Sequence, residues 1–77
     1  MLVSVIGVAH SIRQLRTAKQ WSRERLAFQI GASAGSILRW ERSRLNKGPL
    51  RMHENTVEAI CREYKAALGS PAPIKRV

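Results

Sequence analysis

Apolar positions divide the chain into segments with different periodicities. Residues 2–9 are rich in β-branched side chains and carry almost no charge, which favours a strand or an extended arm. A helix extended backwards from Ile12 through Val8 is the alternative for this segment. Over residues 11–19, Ile12 and Leu15 share one helical face while the polar side chains lie elsewhere. This pattern predicts a short amphipathic first helix.

Two more short helices are predicted from their end signals. Ser22 is the expected N-cap of the second helix, which ends at Gly31, and Ser33 is the expected N-cap of the third helix, which continues to about Ser43. The inward positions of the third helix are Ile37 with Trp40 or Glu41. Only Gly31, Ala32 and Ser33 separate the two helices, so the chain must turn sharply. A sharp corner between two short helices indicates a helix-turn-helix.

The pattern from residue 44 onward predicts a loop, a helix and a tail. Residues 44–53 contain Gly48-Pro49, which predicts an irregular loop. Helical spacing of apolar residues then predicts a final helix that ends at Gly69. Its apolar positions are Val57, Ile60, Cys61, Tyr64 and Leu68. The expected organisation is an apolar arm over 1–9, a helix-turn-helix domain over 10–69 and a flexible basic tail over 70–77. The expected fold class is all-α: a small bundle of four to five helices that contains the helix-turn-helix, with a possible short N-terminal β arm.

The length and the net charge of the chain limit the classes of function that we expect for it. A chain of 77 residues has room for one small domain and not for a large substrate pocket, so we expect neither an enzyme nor a bound cofactor. The single cysteine, Cys61, excludes an internal disulfide and a cysteine-rich zinc module, and we expect no metal site and a cytoplasmic location. No apolar stretch is long enough to span a membrane. Fourteen Lys and Arg against five Asp and Glu give a net charge of +9, which favours an anionic partner.

The stretch from 12 to 44 carries several spaced features together. They are an arginine in the first helix, a hydrophobic-Ser pair, Leu-Ala, then Gly, Ser, Ile and Trp-Glu. With this set the chain resembles the phage-repressor and Cro-like helix-turn-helix proteins, the XRE family. The resemblance covers a little under half of the chain. It implies that residues 33–43 form a recognition helix that lies in the major groove of double-stranded DNA.

The resemblance and the residue types together give the expected contacts. Arg39 projects from the recognition helix and can bond through two N–H groups to guanine O6 and N7. The expected base-reading residues are Arg39, Ser33, Ala34, Ser36 and Leu38. The expected phosphate-binding residues are Arg23, Arg25, Arg42, Arg44 and Lys47. The resemblance also implies that Arg16 and Glu41 form a structural ion pair.

The expected assembly is a homodimer, because one recognition helix covers few base pairs. An unpaired apolar strand would be prone to aggregate, which favours pairing of the arm with its copy in a second chain. The expected dimer contacts are Leu2, Val3, Val5, Ile6, Val8 and Phe28. The predicted function is a nucleoid-associated transcriptional regulator of phage or plasmid type. The alternatives are an antitoxin or anti-repressor that binds a second protein, and a recombination-accessory DNA-binding factor.

Overall fold

The computed structural model describes residues 1–42 and 49–77, which form four helices and three short strands. The helices are α1 (Val8–Lys19), α2 (Arg23–Ile30), α3 (Ala34–Arg42) and α4 (Glu54–Leu68). The strands are β1 (Leu2–Ile6), β2 (Leu50–His53) and β3 (Lys75–Arg76). The mostly helical character is confirmed. The four helices and the N-terminal strand β1 agree with the prediction, and the all-α part of it is corrected, because β2 and β3 complete a three-stranded sheet with β1 among the described residues.

The helix ends follow from local signals in the sequence. The Ser22 hydroxyl accepts a hydrogen bond from the Arg25 backbone N–H at 3.1 Å and so caps α2. Gly31 ends α2 at a φ of 71°, a left-handed conformation that glycine adopts without strain. These ends confirm the predicted second helix. The first helix begins at Val8 rather than Ser11, which confirms the backward extension that residues 2–9 left open.

The sheet has the strand order β2-β1-β3, and both pairings are antiparallel. β2 lies within the segment 44–53 that was expected to be a loop, and β3 lies within the segment 70–77 that was expected to be a flexible tail. Both expectations are wrong where these strands form. With four and two residues, these strands carry at most a weak periodic signal in the sequence, and each is stabilised by pairing with β1.

Close packing at the start of α1 holds the C-terminal segment in place. Gly7 has a φ of 91°, and a side chain there would overlap the backbone carbonyl oxygen of Pro73. The Val77 backbone N–H donates a hydrogen bond to the Ser4 carbonyl oxygen at 2.9 Å. Residues 73–77 therefore lie against the domain, and Lys75 and Arg76 among them form β3.

β1 is the central strand, which corrects the expected dimer interface. One edge of β1 pairs with β2 along residues 2–5 and the other pairs with β3 at Val5 and Ile6, so these positions are not open to a second copy. Val5 and Val8 are both 1% exposed and belong to the core of this chain, and Val3 is partly buried against that core. The expected dimer residues that remain exposed are Leu2, Ile6 and Phe28, at 46%, 43% and 79%.

The core lies between the helices and the inner face of the sheet. α1 packs against α3 and α4, and α2 packs against α3 and α4. The residues with no exposed surface at its centre include Ile12, Leu15, Leu26, Ile37, Val57 and Ile60. The Tyr64 hydroxyl donates a hydrogen bond to the Gln14 side-chain oxygen at 2.5 Å, which ties α4 to α1. Within residues 1–42 and 49–77, no helix has the length and apolar character needed to cross a bilayer.

Candidate nucleic-acid interface

α3 turns one face to the core and another to solvent. Ile37, Trp40 and Glu41 are buried, and their spacing of three and four residues places them on one side of the helix. Arg39 and Arg42 are exposed. The inward face predicted for the third helix is confirmed, and it includes both Trp40 and Glu41.

The turn before α3 brings two helices close together. The Ala32 backbone N–H donates to the Ala27 carbonyl oxygen at 2.8 Å, which closes the end of α2. Ala27 itself is buried, and its small side chain lets α3 pack closely against α2. The turn therefore fixes α3 against α2 at the surface of the domain.

The small residues at the start of α3 have local partners. The Ser33 hydroxyl accepts a hydrogen bond from the Ser36 backbone N–H at 3.1 Å, so Ser33 caps α3 as predicted. The same hydroxyl donates to the Ser36 hydroxyl at 3.0 Å. Ala34, Ser36 and Leu38 are half-buried, whereas Ser33 and Arg39 are exposed. Of the expected base-reading residues, Arg39 is the one that has both a long side chain and an exposed position.

Glu41 anchors α3 through two arginines from other parts of the fold. Its Oε2 atom lies 2.6 Å from Nη1 of Arg16 in α1, and its Oε1 atom lies 2.7 Å from Nε of Arg23 in α2. Arg16 also donates from Nε to the Trp21 carbonyl oxygen at 3.1 Å. The expected ion pair between Arg16 and Glu41 is confirmed. The second partner, Arg23, was not predicted.

The role of Arg23 therefore differs from the one that the family resemblance implied. It was expected to bind phosphate, and in the structure its Nε is occupied by Glu41. Its side chain is still 43% exposed, and a guanidinium carries five N–H donors. Arg23 is a structural partner of Glu41, and a phosphate contact through its other N–H groups stays a prediction.

The Glu41 network makes stability depend on pH. Burial raises the pKa of Glu41, but hydrogen bonds and charge from Arg16 and Arg23 outweigh burial and hold the pKa below its ordinary value of 4.5. Because the pKa is lower in the folded chain, this carboxylate stabilises the fold fully above about pH 4.5, and the contribution is lost as the pH falls further.

We expect the urea midpoint of the wild type to fall between about pH 5 and pH 3, as the Glu41 carboxylate becomes protonated. The Glu41→Gln variant cannot titrate at this position, so its midpoint should fall less over the same range. Urea unfolding curves of the two proteins at a series of pH values measure the difference. Parallel pH profiles would show that Glu41 does not contribute in this way.

The remaining phosphate candidates lie on two helices or outside the described residues. Arg25 of α2 and Arg42 of α3 are exposed. When the Gln29 amide is oriented with its oxygen toward Arg25, that oxygen accepts from Arg25 Nη2 at 3.2 Å and from Nε at 3.3 Å. This contact holds the Arg25 side chain along α2. Arg44 and Lys47 lie outside the described residues.

Two residues beside α3, one on each side of Met52, are absent from the predicted contacts. Arg51 and His53 are exposed on β2 and line the same cleft as Arg39 and Ser36. The alternation of Leu50, Arg51, Met52 and His53 was the available signal for a strand, but these four residues follow Gly48-Pro49, which predicts a loop.

Comparisons of this chain with protein-family models, curated proteins and solved structures found no match.

Proposed function

We propose that this protein is a sequence-specific, double-stranded DNA-binding transcriptional regulator. α2, the turn at residues 31–33 and α3 act as a helix-turn-helix, and α3 is the recognition helix that enters the major groove. The major groove of B-form DNA is about 12 Å wide and admits one α-helix. The proposal of a regulatory role rests on the resemblance of residues 12–44 to the phage-repressor and Cro-like proteins.

The observation that carries this proposal is the separation of charges around α3. All five acidic residues lie in the described part of the chain: Glu54, Glu58 and Glu63 are in α4, and Glu24 is exposed in the first turn of α2. Glu41 is buried and paired with two arginines. The exposed side of α3 therefore carries cations and hydroxyl groups and no carboxylate of its own, which suits phosphates and the acceptor atoms of guanine.

The packing of α3 supports a fixed presentation of these groups. Its buried side is held by the apolar core through Ile37 and by the ion pairs of Glu41. Exposed Arg39 and Arg42 therefore project from a helix whose position is set by both apolar and polar contacts. A rigid helix loses little conformational entropy when it binds DNA, so more of the contact energy remains for affinity.

Selection of bound sequences from a pool of random duplexes tests the function directly. We expect the selected duplexes to share a guanine-containing sequence. If four to five cations contact phosphates, log affinity should fall against log salt with a slope of about −4. Absence of duplex binding at about 50 mM salt, where non-specific contacts are strong, would rule the proposal out.

A second candidate function is favoured by one exposed aromatic residue. Phe28 of α2 is 79% exposed, although burying an aromatic side chain is strongly favourable. This exposure supports a contact with another protein chain, either a second copy in a DNA-binding homodimer or a different partner of an antitoxin-like module. Sedimentation of the purified chain distinguishes them. A dimer that Phe28→Ser dissociates supports the homodimer, and a wild-type monomer supports a different partner.

A further inference from the structure

A cleft of about 340 Å³ lies between α3 and the sheet. Ser36, Arg39 and Trp40 line it from α3, and Arg51 and His53 line it from β2. It therefore joins the candidate recognition helix to β2, a strand that carries none of the predicted binding residues.

The register of the sheet explains why Arg51 faces this cleft. Side chains alternate along β2, so Met52 is 2% exposed in the core while Arg51 and His53 face outward. Arg51 stands directly opposite Ser4 of β1. Because Ser4 is small, no large neighbour on β1 covers the Arg51 side chain from across the strand pair.

The charges in the cleft are all of one sign. Arg39 and Arg51 both line it, and none of the five glutamates does. The ion pairs found among residues 1–42 and 49–77 involve Arg16, Arg23 and Arg76, and neither Arg39 nor Arg51 takes part in one. Two arginines without a carboxylate partner, placed on either side of one cleft, form a local concentration of positive charge that attracts anions.

We propose that Arg51 is a phosphate-binding residue of the nucleic-acid interface and contacts the backbone of the same duplex whose bases Arg39 reads. This inference rests on the proposed function. The phosphate groups lie along the rim of the groove that a recognition helix enters, so a cation on an element beside α3 is placed to meet them. Arg51 extends the interface from the helices to the exposed face of the sheet.

The test compares single charge removals in the full-length chain. Arg51→Gln removes the proposed contact, and Arg62→Gln removes an exposed arginine from α4 as a matched control for net charge. Affinity for a duplex should fall between 50 and 200 mM salt in every protein. Each phosphate contact multiplies the loss of affinity between these two salt concentrations by about 3.5. The loss of affinity should therefore be smaller by about this factor in Arg51→Gln and equal to that of the wild type in Arg62→Gln. Arg51→Lys keeps a cation and should restore the wild-type salt dependence.

The base preference of the Arg51→Gln variant distinguishes a phosphate contact from a base contact. Because phosphates carry no sequence information, Arg51→Gln should weaken binding to selected and random duplexes by the same factor. A change in base preference would show that Arg51 reads bases and would overturn the phosphate assignment. If Arg51→Gln and Arg62→Gln behave alike while the wild type binds DNA, this inference is wrong and the proposed function stands. If the wild type binds no duplex, the proposed function itself fails.

Discussion

Under the proposed function, replacing Arg39 with alanine is expected to remove most of the preference of this protein for the selected duplex. Arg39 is exposed on α3, and the opposite side of that helix is fixed in the core. A bidentate contact between an arginine and guanine contributes about 1 to 3 kcal/mol to base discrimination, which is roughly a 5- to 150-fold difference in affinity. The ratio of affinities for the selected and the random duplex should fall by that factor in the variant.

Two matched variants distinguish the loss of a base contact from the loss of a positive charge. Arg39→Lys keeps the charge but loses the planar fork, so it should retain non-specific affinity and lose the preference. Arg42→Ala removes the neighbouring exposed arginine of α3 and should weaken both duplexes equally. Competition titrations with the two duplexes measure each ratio. An undiminished ratio in Arg39→Ala would mean that another residue reads the sequence.

Replacing Glu41 with alanine is expected to destabilise the fold by about 2 to 3 kcal/mol. Removing one partner of a buried ion pair typically costs about 3 to 5 kcal/mol, because the other charge is left without compensation. Here the loss is smaller, since the side chains of Arg16 and Arg23 are 24% and 43% exposed and can be partly hydrated. At a urea dependence of about 1 kcal/mol per M, the unfolding midpoint should fall by about 2 to 3 M.

Glu58→Ala is the matched control, because Glu58 is an exposed glutamate in α4. A surface substitution of this kind usually changes stability by less than about 0.5 kcal/mol. Equal midpoints for the Glu41 and Glu58 variants would contradict the anchoring role of Glu41. Loss of the anchor should also weaken DNA binding, because the two arginines hold α3 to α1 and α2 through this carboxylate.

The helices could be predicted from the sequence because their signals are local. Ser22, Gly31, Ser33 and Gly69 each act on the few residues next to them, and all four mark helix ends in the structure. The β-branched residues of the segment 2–9 also predict β1, but β2 and β3 could not be predicted in the same way. β2 has four residues and β3 has two, and each is defined by hydrogen bonds to β1, which is distant in the sequence.

The candidate interface could be predicted where it depends on signals within one helix, and could not be predicted where it depends on contacts between elements. The faces of α3 follow from helical periodicity, so the exposure of Arg39 and the burial of Glu41 could be expected. The second contact of Glu41 depends on how α2 packs against α3, and the residue pattern does not determine that packing. Arg51 was missed because its place beside α3 requires the pairing of β2 with β1.

The central position of β1 affects how the chain folds during synthesis. Residues 2–6 leave the ribosome before their partners in β2 and β3, which follow roughly 45 and 70 residues later. At about 5 to 20 residues per second, the apolar first strand waits some 4 to 14 s for its last partner. The helices can form locally in that interval, but the sheet closes only after residues 75–76 have been translated. The nascent chain therefore exposes an aggregation-prone segment for seconds, during which a chaperone that binds extended apolar peptides has time to act.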